Sequence, residues 1–343
     1  MKRISILFIS FLTFTSLAQT GGTTTFALLD LTYNARAAGL GNDFISIKDQ
    51  DINLGIANPS LLNEKMQSNL SLNQALLAGG INYGQVAYGR KIFKGFGAAS
   101  IRYVNYGEFT RTNINGTEEG TFHPFDCIIG AGYGQQLNPR ISVGANLNLI
   151  FSQLESYNAF GASIDLAGTY TAKDENLLVT ALVKNAGYQF NGYTSKQHDP
   201  LPTEFQMAVS YKLKHAPFRF SILAHHLNKW NITYVDPNLK PTVDPLTGDT
   251  IPVKYAGFGE QLARHFTYSA EIMVSKNIHL RAGFDYHRRQ EMKLEQRPGM
   301  AGFTFGVGFY FKKISIDYGF SIFSRAGFNN MLTLSTNLST WKK

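Results

Sequence analysis

Ile314-Ser315-Ile316-Asp317-Tyr318-Gly319-Phe320-Ser321-Ile322 puts an apolar or aromatic side chain at every second position, with Ser, Asp, Gly and Ser between them. Successive side chains of a strand point to opposite faces, so this segment has one apolar face and one polar face. The segment before it behaves alike: Phe303, Phe305, Val307, Phe309 and Phe311 alternate with Thr304, Gly306, Gly308 and Tyr310. Lys312-Lys313 lies between the two as a short basic turn. Further from this hairpin, the same alternation recurs at residues 278–286, 266–274, 218–224, 205–211, 160–170 and 141–151.

One such strand suits any half-buried sheet. Many of them, each about nine to eleven residues long, match strands that cross a bilayer at a tilt. Lipid leaves no backbone group a partner except another strand, so such strands must close into a barrel. The connections give an independent test. Those near 91–94, 138–139, 173–175, 214–215, 276–277 and 312–313 are short and polar or basic, whereas those at 107–121, 188–202, 229–264 and 289–298 are longer. Short turns at one end and long loops at the other are the rhythm of a bacterial outer-membrane barrel. The pattern predicts an all-β membrane protein, a fourteen-stranded antiparallel barrel over residues 67–343, with both termini at the periplasmic end.

Composition agrees. Charged residues are 16% of the chain and aromatics 13%, with 32 glycines and 17 tyrosines. Lys2, Arg3, the apolar run from Ile4 to Phe14 and Ser16-Leu17-Ala18 read as a signal peptide spanning 1–18. Removing Lys2 and Arg3 from the formal +8 leaves about +6, carried by basic residues scattered among turns, which is no footprint for nucleic acid. The expected surroundings are outer-membrane lipid and lipopolysaccharide. A single cysteine, Cys127, rules out an intramolecular disulfide and a cysteine-based zinc cluster.

Residues 19–66 do not alternate. Asn58-Pro59-Ser60-Leu61-Leu62 opens a short helix with proline near its first position. A fourteen-stranded barrel is too wide for its own side chains to fill, so this segment is expected to plug the lumen or its periplasmic mouth. Ala35-Arg36-Ala37-Ala38-Gly39-Leu40-Gly41, the acidic Asp49 and Asp51, and Asn58-Pro59-x-Leu61 closely resemble the N-terminal pattern of the PorV/PorQ family of FadL-like barrels. Ser60 stands where alanine is common after Asn-Pro in that family. The resemblance implies a plug motif at Arg36, Gly39, Gly41, Asn58 and Pro59. It also implies a non-catalytic outer-membrane component of the type IX secretion system of Bacteroidetes. Such a barrel would hold a PorZ-like surface protein, with PorU- and PorV-like components in the same attachment complex.

Charges on the polar faces, Arg102, Asp126, Asp165, Lys184, Arg219, Glu271, Arg281, Asp285 and Asp317, are expected to face the lumen as one polar network, since on the lipid face each would cost a few kcal/mol. Their mixed signs argue against an ion-selective constriction. The loop at 229–264 carries Trp230, Tyr234, Tyr255 and Phe258, with Pro237, Pro241, Pro245 and Pro252, and is the expected partner-binding loop. No metal site or cofactor is expected: His225 and His226, as neighbours on a regular strand, would point to opposite faces. A FadL-like channel for hydrophobic molecules is the competing reading. It requires an apolar lumenal stripe, whereas the inward sets read as Ser, Gly, Asn, Thr and charges.

Overall fold

A computed structural model describes residues 25–77, 80–194, 198–234, 241–243, 247, 249–251, 255–293, 299–322 and 327–341. The expected signal peptide and Pro237, Pro245 and Pro252 lie outside the described residues.

Fourteen strands form a closed ring. In chain order they are β1 (Asn69–Leu76), β2 (Asn82–Ile92), β3 (Gly95–Asn105), β4 (Phe125–Asn138), β5 (Ile141–Leu154), β6 (Tyr157–Thr171) and β7 (Leu177–Asn191). Then follow β8 (Glu204–Lys212), β9 (Phe218–Ala224), β10 (Phe266–Met273), β11 (Ile278–Asp285), β12 (Phe303–Tyr310), β13 (Ile314–Ile322) and β14 (Phe328–Asn337). Each strand pairs antiparallel with its chain neighbours, and β1 closes on β14 from Asn69↔Asn337 to Leu76↔Asn330. Closure leaves no strand edge unpaired, which a hydrocarbon surrounding requires.

The alternation sorts the two faces as the pattern predicted. On β5, Ser142, Asn146, Asn148 and Ser152 are buried inside, while Val143, Leu147, Leu149 and Phe151 point outward and are exposed. The outward belt continues through Leu72, Ile101, Ile129, Met207, Leu280 and Phe305. Soluble monomers rarely expose a contiguous apolar surface beyond a few hundred Å², so the medium around this belt is lipid. Among the described residues no helix is long and apolar enough to cross a membrane; the strands make the crossing. The chain is thus an outer-membrane β-barrel protein of a Gram-negative bacterium.

Several boundaries differ from the sequence pattern. β7 runs on to Asn191, and residues 155–156 make a tight turn at the end where long loops were expected. The loop at 107–121 contains a hairpin, Phe109–Thr112 against Glu118–Phe122. β9 stops at Ala224, and β11 stops at Asp285 because that carboxylate caps a helix, accepting from the Arg288 amide at 3.0 Å. Trp341 lies beyond β14, in a 3-10 turn.

Residues 26–66 run inside the ring as a chain of short helices: α1 (Ala35–Gly39), α2 (Ile52–Ala57) and 3-10 turns at Ala27–Asp30, Pro59–Leu61 and Glu64–Met66. Asn34, Asp51, Asn58 and Asn63 each cap the turn that follows, accepting from the amides of Ala37, Asn53, Ser60 and Lys65. Repeated Asn or Asp capping is how a segment without long amphipathic helices satisfies its backbone in a confined space.

Candidate functional site

Three layers can be followed down the lumen. Deepest in the plug–wall contact lies an ion cluster. Glu271 on β10 is 1% exposed and meets Arg36 of α1 at 3.1 Å, Arg219 of β9 at 2.7 Å and Arg281 of β11 at 3.0 Å. Arg281 also pairs with Asp317 of β13 at 2.6 Å, and Arg36 with Asp49 at 2.7 Å. Facing charges of both signs at these distances tie α1 to four wall strands.

The remaining inward charges do not join this cluster, contrary to the single network expected. Asp126 accepts from Tyr106 at 2.6 Å and from the Ser152 hydroxyl. Arg102 donates to Asn148 Oδ1 at 2.6 Å and lies over the Tyr33 ring. Asp165 accepts from the side-chain amides of Asn146 and Asn148, each at 3.1 Å, and from the Asn185 backbone amide at 2.8 Å. That last bond has a local cause. The β6–β7 register shifts between Ile164 and Leu166, and Asn185 takes φ +58°. The bulge frees an amide from the ladder, and Asp165 takes it up. Lys184 lies beside Asp43 of the plug at 3.6 Å.

The expected plug residues sit at close contacts. A Cβ on Gly39 would come within 2.8 Å of Gly306 Cα, so α1 packs backbone to backbone on β12. Gly41 has φ +99° and donates its amide to Thr304 Oγ1 at 2.9 Å. Asn58 accepts from Ser60 N at 3.0 Å and donates to Ile45 O at 2.7 Å. Ser60 joins the cap, its hydroxyl donating to Asn58 Oδ1 at 2.6 Å. Pro59 presses its carbonyl onto β4 and β5, where a Cβ on Gly134 or Gly144 would lie 2.2 or 2.4 Å from that oxygen.

Toward the long-loop end the lumen turns apolar. Val104, Ile128, Ile150, Ala159 and Met331 face inward and form one cluster with Phe26, Leu28, Leu29 and Tyr33 of the N-terminal segment. The sequence pattern missed this layer because polar and apolar positions both occur in the inward set, and only their height along the barrel separates them. Just above it, Tyr106, Phe109, Pro124, Asp126 and Tyr193 line a cavity of about 170 Å³. By contrast, the space between the plug and wall residues Arg102, Asp165 and Lys184 amounts to about 60 Å³, room for a few waters. An open apolar groove, about 750 Å³, lies on the lipid-facing side of the wall beside the bulge, lined chiefly by the outward-facing Tyr133, Val143, Leu166, Val183, Phe205 and Met207. Ile45 of the plug packs behind it on Ala167 and Leu182.

The mouth carries the aromatic residues of the long loop. Trp230 stacks on Phe258 with ring centroids 5.0 Å apart and on His265 at 5.8 Å. Phe258 belongs to a helix, α3 (Phe258–Arg264), rather than to a loop. Tyr234 and Tyr255 are exposed. Asp285 caps α4 (Tyr286–Met292).

The histidines correct the expectation drawn from strand alternation. His225 and His226 lie past the end of β9, and His226 adopts φ +55°, which swings both rings to the same side. Their Nδ1 atoms are 2.8 Å apart. His287 is on α4. Burial lowers the His225 pKa from the usual imidazole value and takes that of His287 down to about 4.

No protein-family model matches the chain, and no curated protein matches it in sequence. Its fold matches solved structures. The Pseudomonas putida toluene transporter TodX aligns over 90% of this chain and 98% of its own at TM-score 0.55 and 12% identity. The deltaS2 mutant of the TodX monoaromatic hydrocarbon channel aligns over 90% and 99% at TM-score 0.56 and 14% identity. The Ralstonia pickettii toluene transporter TbuX aligns over 90% and 99% at TM-score 0.51 and 12% identity. At this identity the likeness is one of fold alone: a closed antiparallel β-barrel.

Proposed function

We propose that the protein is a conduit for small apolar molecules, taken up at the long-loop mouth and released sideways through the wall; contrary to the expectation of two periplasmic termini, Thr25, at the start of the described plug, lies at that mouth against Asp199, and only the C-terminal end of β14 lies among the short turns. The observation that carries this reading is the apolar lumenal layer of Val104, Ile128, Ile150, Ala159 and Met331. The ring packs on the apolar Phe26, Leu28 and Leu29 of the plug, whose place an apolar solute can take, and such a solute leaving water gains about 25 cal/mol per Å² buried. The 170 Å³ mouth cavity has the volume one aromatic ring needs, and its walls mix the apolar Phe109, Pro124 and Leu154 with the polar Thr25, Asp126 and Gln153. Release into lipid would require the wall to part at the β6–β7 bulge, where the ladder is irregular, an apolar groove lies on the outer face and Ile45 packs behind it. The solved barrels of this architecture named as toluene transporters are consistent with that use.

The reading is tested by mass spectrometry of small molecules extracted from the protein purified in mild detergent, with toluene binding measured alongside. One bound apolar molecule per chain is expected. Ile128→Asp, which places a charge in the ring, should weaken toluene binding by at least about tenfold, or ~1.4 kcal/mol. A wild-type protein that binds none removes the proposal.

A second reading is favoured by the exposed aromatics Trp230, Tyr234, Tyr255 and Phe258 at the mouth. In it the barrel is a non-catalytic scaffold of a type IX secretion system, holding a PorZ-like surface protein through this loop beside PorU- and PorV-like components. Aromatic side chains dominate interface energetics. Deleting residues 235–255 should release the partner in detergent pull-downs while leaving toluene binding intact; retention of the partner argues against the loop as its dock.

A further inference from the structure

We infer that Glu204, His225 and His226 form a binding site for a divalent transition metal of the zinc type at the long-loop mouth. The inference is independent of what the barrel carries. Glu204 is the first residue of β8, and the two histidines directly follow β9. One ligand atom from each residue falls in a group spanning no more than 4.8 Å. The two Nδ1 atoms are 2.8 Å apart, and Glu204 Oε1 is 3.3 Å from His226 Nδ1. Around a tetrahedral ion with bonds of ~2.0–2.1 Å, neighbouring ligand atoms lie about 3.3 Å apart. The carboxylate–imidazole spacing already has that value, and the imidazoles need to open by only a few tenths of an ångström.

The surroundings favour a site over an ordinary ion pair. Glu204 and His225 are 6% exposed, so these two ligands are held away from bulk water. The His226 amide donates to Glu204 Oε1 at 3.0 Å, which orients the carboxylate toward the rings. His265 positions the pair: its two ring nitrogens reach the carbonyls of His225 and Trp230 at 2.8 and 3.1 Å. His287 brings a further imidazole, its ring centroid 6.3 and 6.2 Å from those of His225 and His226, and its Nδ1 lacks a hydrogen-bond partner among the described residues. Two imidazoles and one carboxylate suit zinc, nickel or copper, whereas calcium and magnesium favour oxygen-rich shells. A bound ion would pin the root of the long aromatic loop to β8.

The test uses the full-length protein in detergent, stripped with chelator and titrated calorimetrically with Zn²⁺, with Co²⁺ as a spectroscopic probe. One Zn²⁺ per chain is expected, with visible Co²⁺ bands of a tetrahedral nitrogen–oxygen site and no heat from Ca²⁺ or Mg²⁺. Losing one of three ligands should exceed the 10–100-fold effect of an outer-shell change, so His225→Ala, His226→Ala and Glu204→Gln should each weaken binding by more than about 100-fold. His215→Ala, in an exposed turn at the opposite end, should bind as wild type does. Retained heat-modifiable gel mobility identifies the variants that fold; Glu204→Gln keeps the side chain's shape and serves if the histidine variants do not. A wild-type protein without stoichiometric Zn²⁺ binding, or binding that survives in folded Glu204→Gln or His226→Ala, overturns the inference.

Discussion

At the residue scale, Glu271 carries the most consequence. It is buried and faces three guanidiniums, those of Arg36, Arg219 and Arg281. Removing the single shared anion leaves those cations crowded together, and breaking a buried pair from one side costs about 3–5 kcal/mol. Glu271→Ala should therefore lower the free energy of unfolding measured by urea titration by that order, with a lower midpoint, and Glu271→Gln, which keeps an acceptor in place, by less. Equal midpoints for Glu271→Ala and wild type would show that water screens the cluster. The inward placement of Arg219, Glu271, Arg281 and Asp317 was legible from alternation, because a period of two leaves a strand charge only one low-energy face. That Arg36 would reach them was not, since a contact between residues 235 positions apart leaves no local mark.

At the element scale, the plug depends on wall glycines as much as on its own caps. The Pro59 carbonyl occupies the space that a side chain at Gly134 or Gly144 would need. Gly134→Val should push the Pro59–Leu61 turn off the wall, costing about 1–3 kcal/mol as other overpacked sites do. Exposure of the plug to limited proteolysis reports it. Gly168→Val is the control, because a Cβ there meets nothing within 4 Å; equal protease resistance in the two variants would mean that the turn does not rest on β4. The Asn58-Pro59 turn was readable from the proline near its first helical position. Strand ends were less so. β9 stops at Ala224 because His226 takes a left-handed backbone conformation, and alternation carries no information on a single dihedral. The same dihedral juxtaposes the two histidines that a regular strand would separate.

At the scale of the molecule, the question is whether the lumen is a pore or a filled core. The wall supplies mostly polar inward side chains, and the plug supplies both the groups that satisfy them and the bulk that fills the ring. Its lower part, from α1 to Met66, is tied down by the Arg36 cluster and by hydrogen bonds such as Asn146 to Ile56 O at 2.8 Å and Ser321 to Ala38 O at 3.1 Å. Its first turn, Phe26 to Leu29, is held chiefly by apolar packing. Such packing can exchange one apolar partner for another, while an ion cluster cannot, so the upper part can yield to a solute without unsealing the barrel. The wild-type protein should then pass little current in a planar bilayer. Deleting residues 25–66 should open a stable water-filled pore, with weak ion selectivity because the exposed Arg219, Arg281, Glu271 and Asp317 carry both signs. Arg36→Met, which keeps the whole plug but cuts its tie to the wall, should give brief openings where the deletion gives lasting ones. If neither variant conducts more than wild type while both retain heat-modifiable mobility, the seal lies in the mouth loops rather than in residues 26–66.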